Sequence, residues 1–149
     1  MIKILENTPQ NVSQVANIES ACFGDEAWNI NLVQSEFDCT LSTFVAYIVS
    51  NTVVGYASFR AVLDEMQVGN VAVLPQYRRQ GIARQLVNHC KQLAKSKGCT
   101  VAELEVNTAN LGAVGLYQGC GFTVVSTRKN YYPKSNYPSK DAYLMTATL

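Results

Sequence analysis

Arg78-Arg79-Gln80-Gly81-Ile82-Ala83-Arg84 is the stretch on which the reading of this chain turns. It stands between a β-rich run that stops at Pro75 and a long apolar period that starts at Ile82. The first turn of a helix carries N–H groups with no intrahelical acceptor, at the positive end of the macrodipole. Gly81 and the small Ala83 let a ligand approach the backbone, and Arg78, Arg79 and Arg84 add positive charge. Together they form a cradle suited to a pyrophosphate. It is not a P-loop, because no Gly-Lys-Ser/Thr follows. It is not a dinucleotide fingerprint either, because the glycines do not fit GxGxxG and the preceding strands read as hairpins.

Outward from this stretch the hydrophobic period changes. Downstream, Ile82, Ala83, Leu86, Val87, Cys90, Leu93 and Ala94 share one helical face, which predicts an amphipathic helix ended by Lys95, Lys97 and Gly98. Residues 101–106 read as a strand, Asn110 caps a helix through Tyr117, and residues 122–127 and 142–148 are strands. Upstream, residues 44–49, 53–63 and 66–73 are strands joined by turns at Ser50-Asn51 and Asp64-Glu65. Two-residue polar turns mark antiparallel hairpins. Gly69 predicts a bulge in the third of these strands. Residues 1–6 alternate as a first strand, followed by helices over 11–23 and 29–37 with a loop between them. The order β-α-α-β-β-β-α-β-α-β-β predicts a mixed α/β (α+β) fold, with a mostly antiparallel central sheet flanked by helices. A single domain over residues 1–149 is expected.

The composition narrows the classes. The chain has 149 residues, 48% hydrophobic and 15% charged, with a net charge of +1. That is long enough and apolar enough for a real core, and it excludes a disordered chain. It lacks the basic footprint of a nucleic-acid binder. The total hides a split: residues 1–66 hold eight acids and two bases, residues 67–149 three acids and ten bases. The five cysteines form no CxxC pair and His89 is the only histidine. Reduced, packed thiols are expected, with no metal site and no Cys–His nucleophile, since His89 falls inside a helical pattern. The N-terminus shows no signal-peptide pattern and the longest apolar run, Phe44 to Val49, is six residues, too short for a membrane span. The cytoplasm is the expected compartment.

Val71-Ala72-Val73, Pro75, Tyr77 and the run from Arg78 to Arg84 resemble the acetyl-CoA motif of the GNAT acetyltransferases. That motif reads Gln/Arg-x-x-Gly-x-Gly/Ala, and Arg78 to Ala83 fits it. The resemblance continues through Leu104-Glu105-Val106, Asn110, Leu116-Tyr117 and Gly121-Phe122. Arg128-Lys129-Asn130-Tyr131-Tyr132-Pro133, with Asp141-Ala142 and Met145, is similar to one branch, the bacterial ribosomal-protein-alanine N-acetyltransferases. Phe23 and Trp28 resemble that branch's phenylalanine-tryptophan stretch.

The resemblance implies transfer of acetyl from acetyl-CoA to an amine, here the α-amino group of a protein terminus, in a ternary complex. It implies that Val71, Ala72 and Val73 meet the pantetheine arm, with an oxyanion donor near Val73. It implies that Arg78, Arg79, Gln80, Gly81, Ile82, Ala83 and Arg84 hold the pyrophosphate and that Asn110 contacts the cofactor. Glu105 matches the general base and Tyr117 the general acid. The chemistry agrees. An α-amino group has a pKa near 8 and must lose a proton before it attacks a thioester. Glu103 and Glu105 share one strand face, with Glu105 nearer the strand end. Asp25, Glu26 and Trp28 lie where the family builds its acceptor site, and acids there suit a cationic substrate. Tyr131 and Tyr132 sit in a tyrosine- and proline-rich tail suited to wall a groove. Two other readings stay open: the same chemistry on a lysine side chain or small amine, and an acetyl-CoA-binding module without turnover.

Overall fold

The computed structural model describes residues 1–149. Seven strands form one sheet: β1 (Ile2–Ile4), β2 (Ser42–Val49), β3 (Thr52–Val62), β4 (Glu65–Val73), β5 (Val101–Asn107), β6 (Thr123–Arg128) and β7 (Ala142–Thr148). Their order across the sheet is β1-β2-β3-β4-β5-β7-β6. Only β4 and β5 pair in parallel; every other neighbour is antiparallel. The helices are α1 (Pro9–Phe23), α2 (Ile30–Asp38), α3 (Ile82–Ser96) and α4 (Leu111–Gly119). The predicted mixed, mostly antiparallel α/β architecture is the observed one.

Local chemistry sets the helix ends. Thr8 caps α1 by accepting from the Asn11 N–H, with Pro9 in the first turn where its missing donor costs nothing. The Asn29 and Asn110 side chains cap α2 and α4 in the same way, accepting from Leu32 and Ala113. Strand alternation then divides the core. Phe44, Ala46, Tyr56 and Ala72 face α1 and α2, where they meet Val12, Val15, Ile18 and Val33. Val45, Ala57, Phe59, Leu104 and Met145 face α3 and α4, where they meet Leu86, Val87, Cys90 and Val114.

One turn differs from its predicted position. Ser50 and Asn51 both adopt positive φ, 49° and 63°, as a tight hairpin requires. The next turn is Leu63-Asp64 rather than Asp64-Glu65: Glu65 already pairs with Val62, and Leu63 takes φ 55°. Burial sets this register. Met66 is fully buried opposite Ala61, and a slip by one residue would turn it to solvent. Leu63 is left 92% exposed at the tip, an apolar residue where turn chemistry would place a polar one.

The feature that positions the site is a break in the middle of the sheet. Ser58 on β3 faces both Gly69 and Asn70 on β4, between the Ala57–Val71 and Phe59–Val68 pairs. The predicted bulge at Gly69 is therefore present, and a bulge bends and twists its strand. The pairing of β4 with β5 ends just before it, at Gln67 and Glu103. Beyond that point the two strands diverge. The Leu74 N–H bonds to Val54 O, so by antiparallel alternation the main-chain groups of Val71 and Val73 point away from β3 into the gap.

The bulge depends on having no side chain at Gly69. A Cβ there would lie 2.4 Å from the Ser58 Oγ, and the Asn70 N–H bonds to that same oxygen at 3.2 Å. Gly69→Ala is expected to cost about 1–3 kcal/mol in urea unfolding, as overpacking of a tight site does. Wild-type stability in the variant would show that the bulge has slack.

Candidate functional site

Two cavities meet at the gap between β4 and β5, one of about 630 Å³ and one of about 750 Å³. Cys22, Phe23, Val71, Asn110, Ala113 and Tyr137 line both, so the two form one passage along the gap in the sheet.

The smaller cavity ends at the start of α3. Arg79 has φ 61° and Gly81 φ 77°. Left-handed residues in such a loop turn successive N–H groups inward and make an anion-binding concavity. The first intrahelical bond is Gln85 N–H to Gly81 O, at 3.1 Å. The N–H groups of Gly81, Ile82, Ala83 and Arg84 have no protein acceptor. A Cβ added at Gly81 would meet nothing within 4 Å, so the cradle is open. Val71, Ala72, Val73, Arg78, Arg79 and Arg84 line this cavity as well. Gln80 does not; it is exposed beside the loop. The Arg78 Nε donates to Val73 O at 2.9 Å, which ties the loop to the end of β4. Free N–H donors, guanidinium groups and an empty approach fit a pyrophosphate.

The larger cavity brings together Glu105, Tyr117, Tyr131, Tyr132, Glu26 and Trp28. Glu105 is half-buried, with the Arg128 Nε 3.7 Å away. Tyr117 is buried on α4, edge-on to Phe122, and burial pushes its phenol well above the ordinary tyrosine range, with Tyr132 adding to the effect. Tyr132 is pushed up to about 12, first by burial, then by Tyr131 and Glu105. Both phenols therefore keep their protons at neutral pH. Glu103 shares the face of Glu105 but lines neither cavity; burial and the neighbouring Glu65 raise its carboxyl. Asp25 lies in the short turn after α1, exposed, and lines neither cavity. His89 is also outside both.

The tyrosine-bearing loop between β6 and β7 is a held structure. Asn107, buried at the end of β5, donates to Ser139 O at 2.8 Å and Ser135 Oγ at 3.2 Å. Asp141 accepts from the Asn130 N–H at 2.9 Å. Across the cavity mouth, Glu26 accepts from the Asn136 N–H at 2.8 Å, joining the loop after α1 to the tyrosine loop.

Two lining features were not singled out in the sequence. Cys22 sits where the cavities meet and donates its S–H to Val73 O at 3.4 Å. Asn70 lines the larger cavity and donates to Glu19, which is fully buried. Helical spacing alone does not flag either; the acid at Glu19 in an apolar stripe was the available signal. No group of three or more His, Cys, Asp or Glu side chains is arranged to hold a metal ion, and no helix is long and apolar enough to cross a membrane.

Comparison with known proteins agrees with this geometry. The chain is 38% identical over 90 residues to the [Ribosomal protein bS18]-alanine N-acetyltransferase of Escherichia coli strain K12, covering 60% of each chain. It is 34% identical over 143 residues to an uncharacterized protein of Mycobacterium leprae, covering 93% of this chain and 38% of that one. It therefore spans less than two thirds of either relative's length. Among solved structures, the ribosomal-protein-S18-alanine N-acetyltransferase from Escherichia coli superposes with a TM-score of 0.87 at 27% identity, over 99% of this chain and 94% of that one. The model of the acetyltransferase (GNAT) family matches residues 12–122, which take in α1, the bulged β4, the arginine cradle and α4. By that match, and by the gap and cradle it contains, the chain belongs to the GNAT acetyltransferase family.

Proposed function

We propose that this chain transfers the acetyl group of acetyl-CoA to the free α-amino group of a protein, a small-subunit ribosomal protein beginning with alanine. The observation that carries the reading is the continuous passage. An anion cradle closes one end, and a carboxylate and a protonated phenol line the other. The ribosomal acceptor is supported by the names of the E. coli relatives, and such an acceptor would set the reaction in the cytoplasm.

Acetyl-CoA, when bound, supplies the acetyl group as a thioester. The N–H groups of Gly81 to Arg84, with the arginines, hold its pyrophosphate. Val71 offers main-chain groups to the pantetheine arm, and Asn110 borders both cavities beside it. The Val73 C=O is already engaged by Arg78 and Cys22, which leaves its N–H for the thioester oxygen. Glu105 takes the proton from the ammonium, directly or through one water. Tyr117 keeps a proton on its phenol oxygen for the departing sulfur. Direct attack by the amine fits the thiol at the junction: Cys22 spends its S–H on a carbonyl and has no histidine beside it to act as base. Trp28, Tyr131 and Tyr132 wall the acceptor end, and Glu26 is the acid of the α1–α2 loop that faces it.

Mass spectrometry of a purified small-subunit ribosomal protein, incubated with the chain and acetyl-CoA, tests this. One acetyl on the N-terminal alanine is expected, and none on the same protein with a blocked terminus. Acetyl on lysines alone, or on small amines alone, would move the acceptor class. CoA binding without turnover on any amine would make the chain a sensor.

A further inference from the structure

Glu19 has no part in the chemistry above, yet it is the most fully buried acid in the molecule, with 0% of its surface exposed. Burying a carboxylate is costly unless its oxygens are hydrogen-bonded, and an apolar side chain of that size would fill the space at lower cost. Both oxygens are used. Oε1 accepts from the Tyr56 hydroxyl and from the Asn70 Nδ2, the latter at 2.7 Å. Oε2 accepts from the Trp28 N–H at 3.1 Å. These donors come from three parts of the fold: β3, the bulge of β4, and the loop between α1 and α2. A carboxylate accepts only, so it alone among side chains of this length takes all three donors without presenting one of its own.

The placement gives the network a consequence. Asn70 and Trp28 both line the larger cavity, on its β4 wall and its loop wall. Glu19 lies behind them and touches neither cavity. The only other bond between this loop and the rest of the cavity wall is the exposed one that Glu26 accepts from the Asn136 N–H. We propose that Glu19 is a positioning residue for the acceptor: through the Trp28 N–H it fixes the α1–α2 loop against the bulged strand and so presets the groove width. The inference deepens the acceptor reading given above and rests on it for the identity of the groove's occupant.

Glu19→Gln separates the tether from the packing. The glutamine carbonyl keeps the oxygen that Tyr56 and Asn70 use. Its amide then sets a donor against the Trp28 N–H, so the loop bond is lost while volume and two bonds remain. Tyr56→Phe is the control, since it removes a donor on the other oxygen and leaves the tether in place. Trp28 is the only tryptophan, so its emission reports the loop directly. Expected for Glu19→Gln is a KM for a free-amine alanyl peptide raised about tenfold, with kcat within about threefold and CoA affinity unchanged. Its tryptophan emission shifts to the red and is more easily quenched by acrylamide. Tyr56→Phe shows neither change. Wild-type KM and emission in Glu19→Gln, or equal changes in both variants, would overturn the proposal. Emission and quenching need no turnover. A chain that acetylates no peptide would sink the acceptor reading, and the spectra would still decide the tether.

Discussion

Glu105→Gln is expected to lower kcat by about 10²- to 10³-fold at pH 7 and to leave CoA affinity unchanged. General-base catalysis by a positioned side chain contributes a factor of this size. The substitution keeps the shape of the side chain and removes its proton affinity. At pH 7 an α-amino group with a pKa near 8 is mostly protonated, so nearly every productive encounter needs the base. By pH 9 the amine arrives mostly neutral, and the gap between wild type and variant narrows. The phenol proposed as the acid does not confuse this comparison. Burial raises the Tyr117 phenol above its ordinary value, so Tyr117 is still protonated at pH 9 and adds no alkaline fall to the profile. Thiol release measured from pH 6 to 9.5 reads both limbs. A constant ratio of wild type to variant across that range would remove Glu105 from the proton transfer.

Gly81→Glu is expected to abolish CoA binding, with at least about a hundredfold loss of affinity by calorimetry. Two effects act together. Gly81 holds φ 77°, where an L side chain costs roughly 1–2 kcal/mol. Its Cβ position is open, with no protein atom within 4 Å, and it lies in the loop that carries the unpaired N–H groups, so a carboxylate there puts a resident anion beside the cradle. The fold survives, because no protein atom lies within 4 Å of that Cβ. Trp28 emission stays at its wild-type position, since the substitution lies in the cavity that Trp28 does not line. CoA affinity within tenfold of wild type would place the cradle elsewhere.

Much of the fold is legible in the sequence. The arginine–glycine loop, the first hairpin turn and the helical periods are local signals, and each stands where its residues predict. Asn110 as a cap, Ser50-Asn51 as a turn and Gly69 as a bulge are read from single residues with narrow conformational roles. What stayed hidden is what depends on distant pairs. The Leu63-Asp64 turn was displaced because the burial of Met66, decided across the sheet, outweighed the polarity of Asp64-Glu65. The charge split also changes meaning. Of the eight acids in the first 66 residues, Glu26 alone lines the larger cavity, while Glu19 is in the core and Glu36 pairs with Arg60. The basic half does gather at the cradle, through Arg78, Arg79 and Arg84. Glu105, the carboxylate proposed to face the amine, comes from that basic half.

The glycines of α4 remain without a packing reason. A Cβ at Gly112, Gly115 or Gly119 would meet nothing within 4 Å, so no protein contact demands them.

The short β4–β5 pairing has a mechanical meaning. The sheet is two leaves, β1 to β4 and β5 to β7, sewn along a spine of three residue pairs from Glu65–Val101 to Gln67–Glu103. On the α3–α4 side one core spans both leaves. Above the spine the leaves stand apart, and the inward edge of β4 has lost the strand that would complete it. A molecule seated there takes that strand's place and fastens the leaves together. Its binding free energy is then added to the stability of the fold itself, growing with ligand concentration as linkage requires. If that molecule is the acetyl-CoA of the proposed reaction, the protein is stiffest when loaded and loosens each time CoA departs.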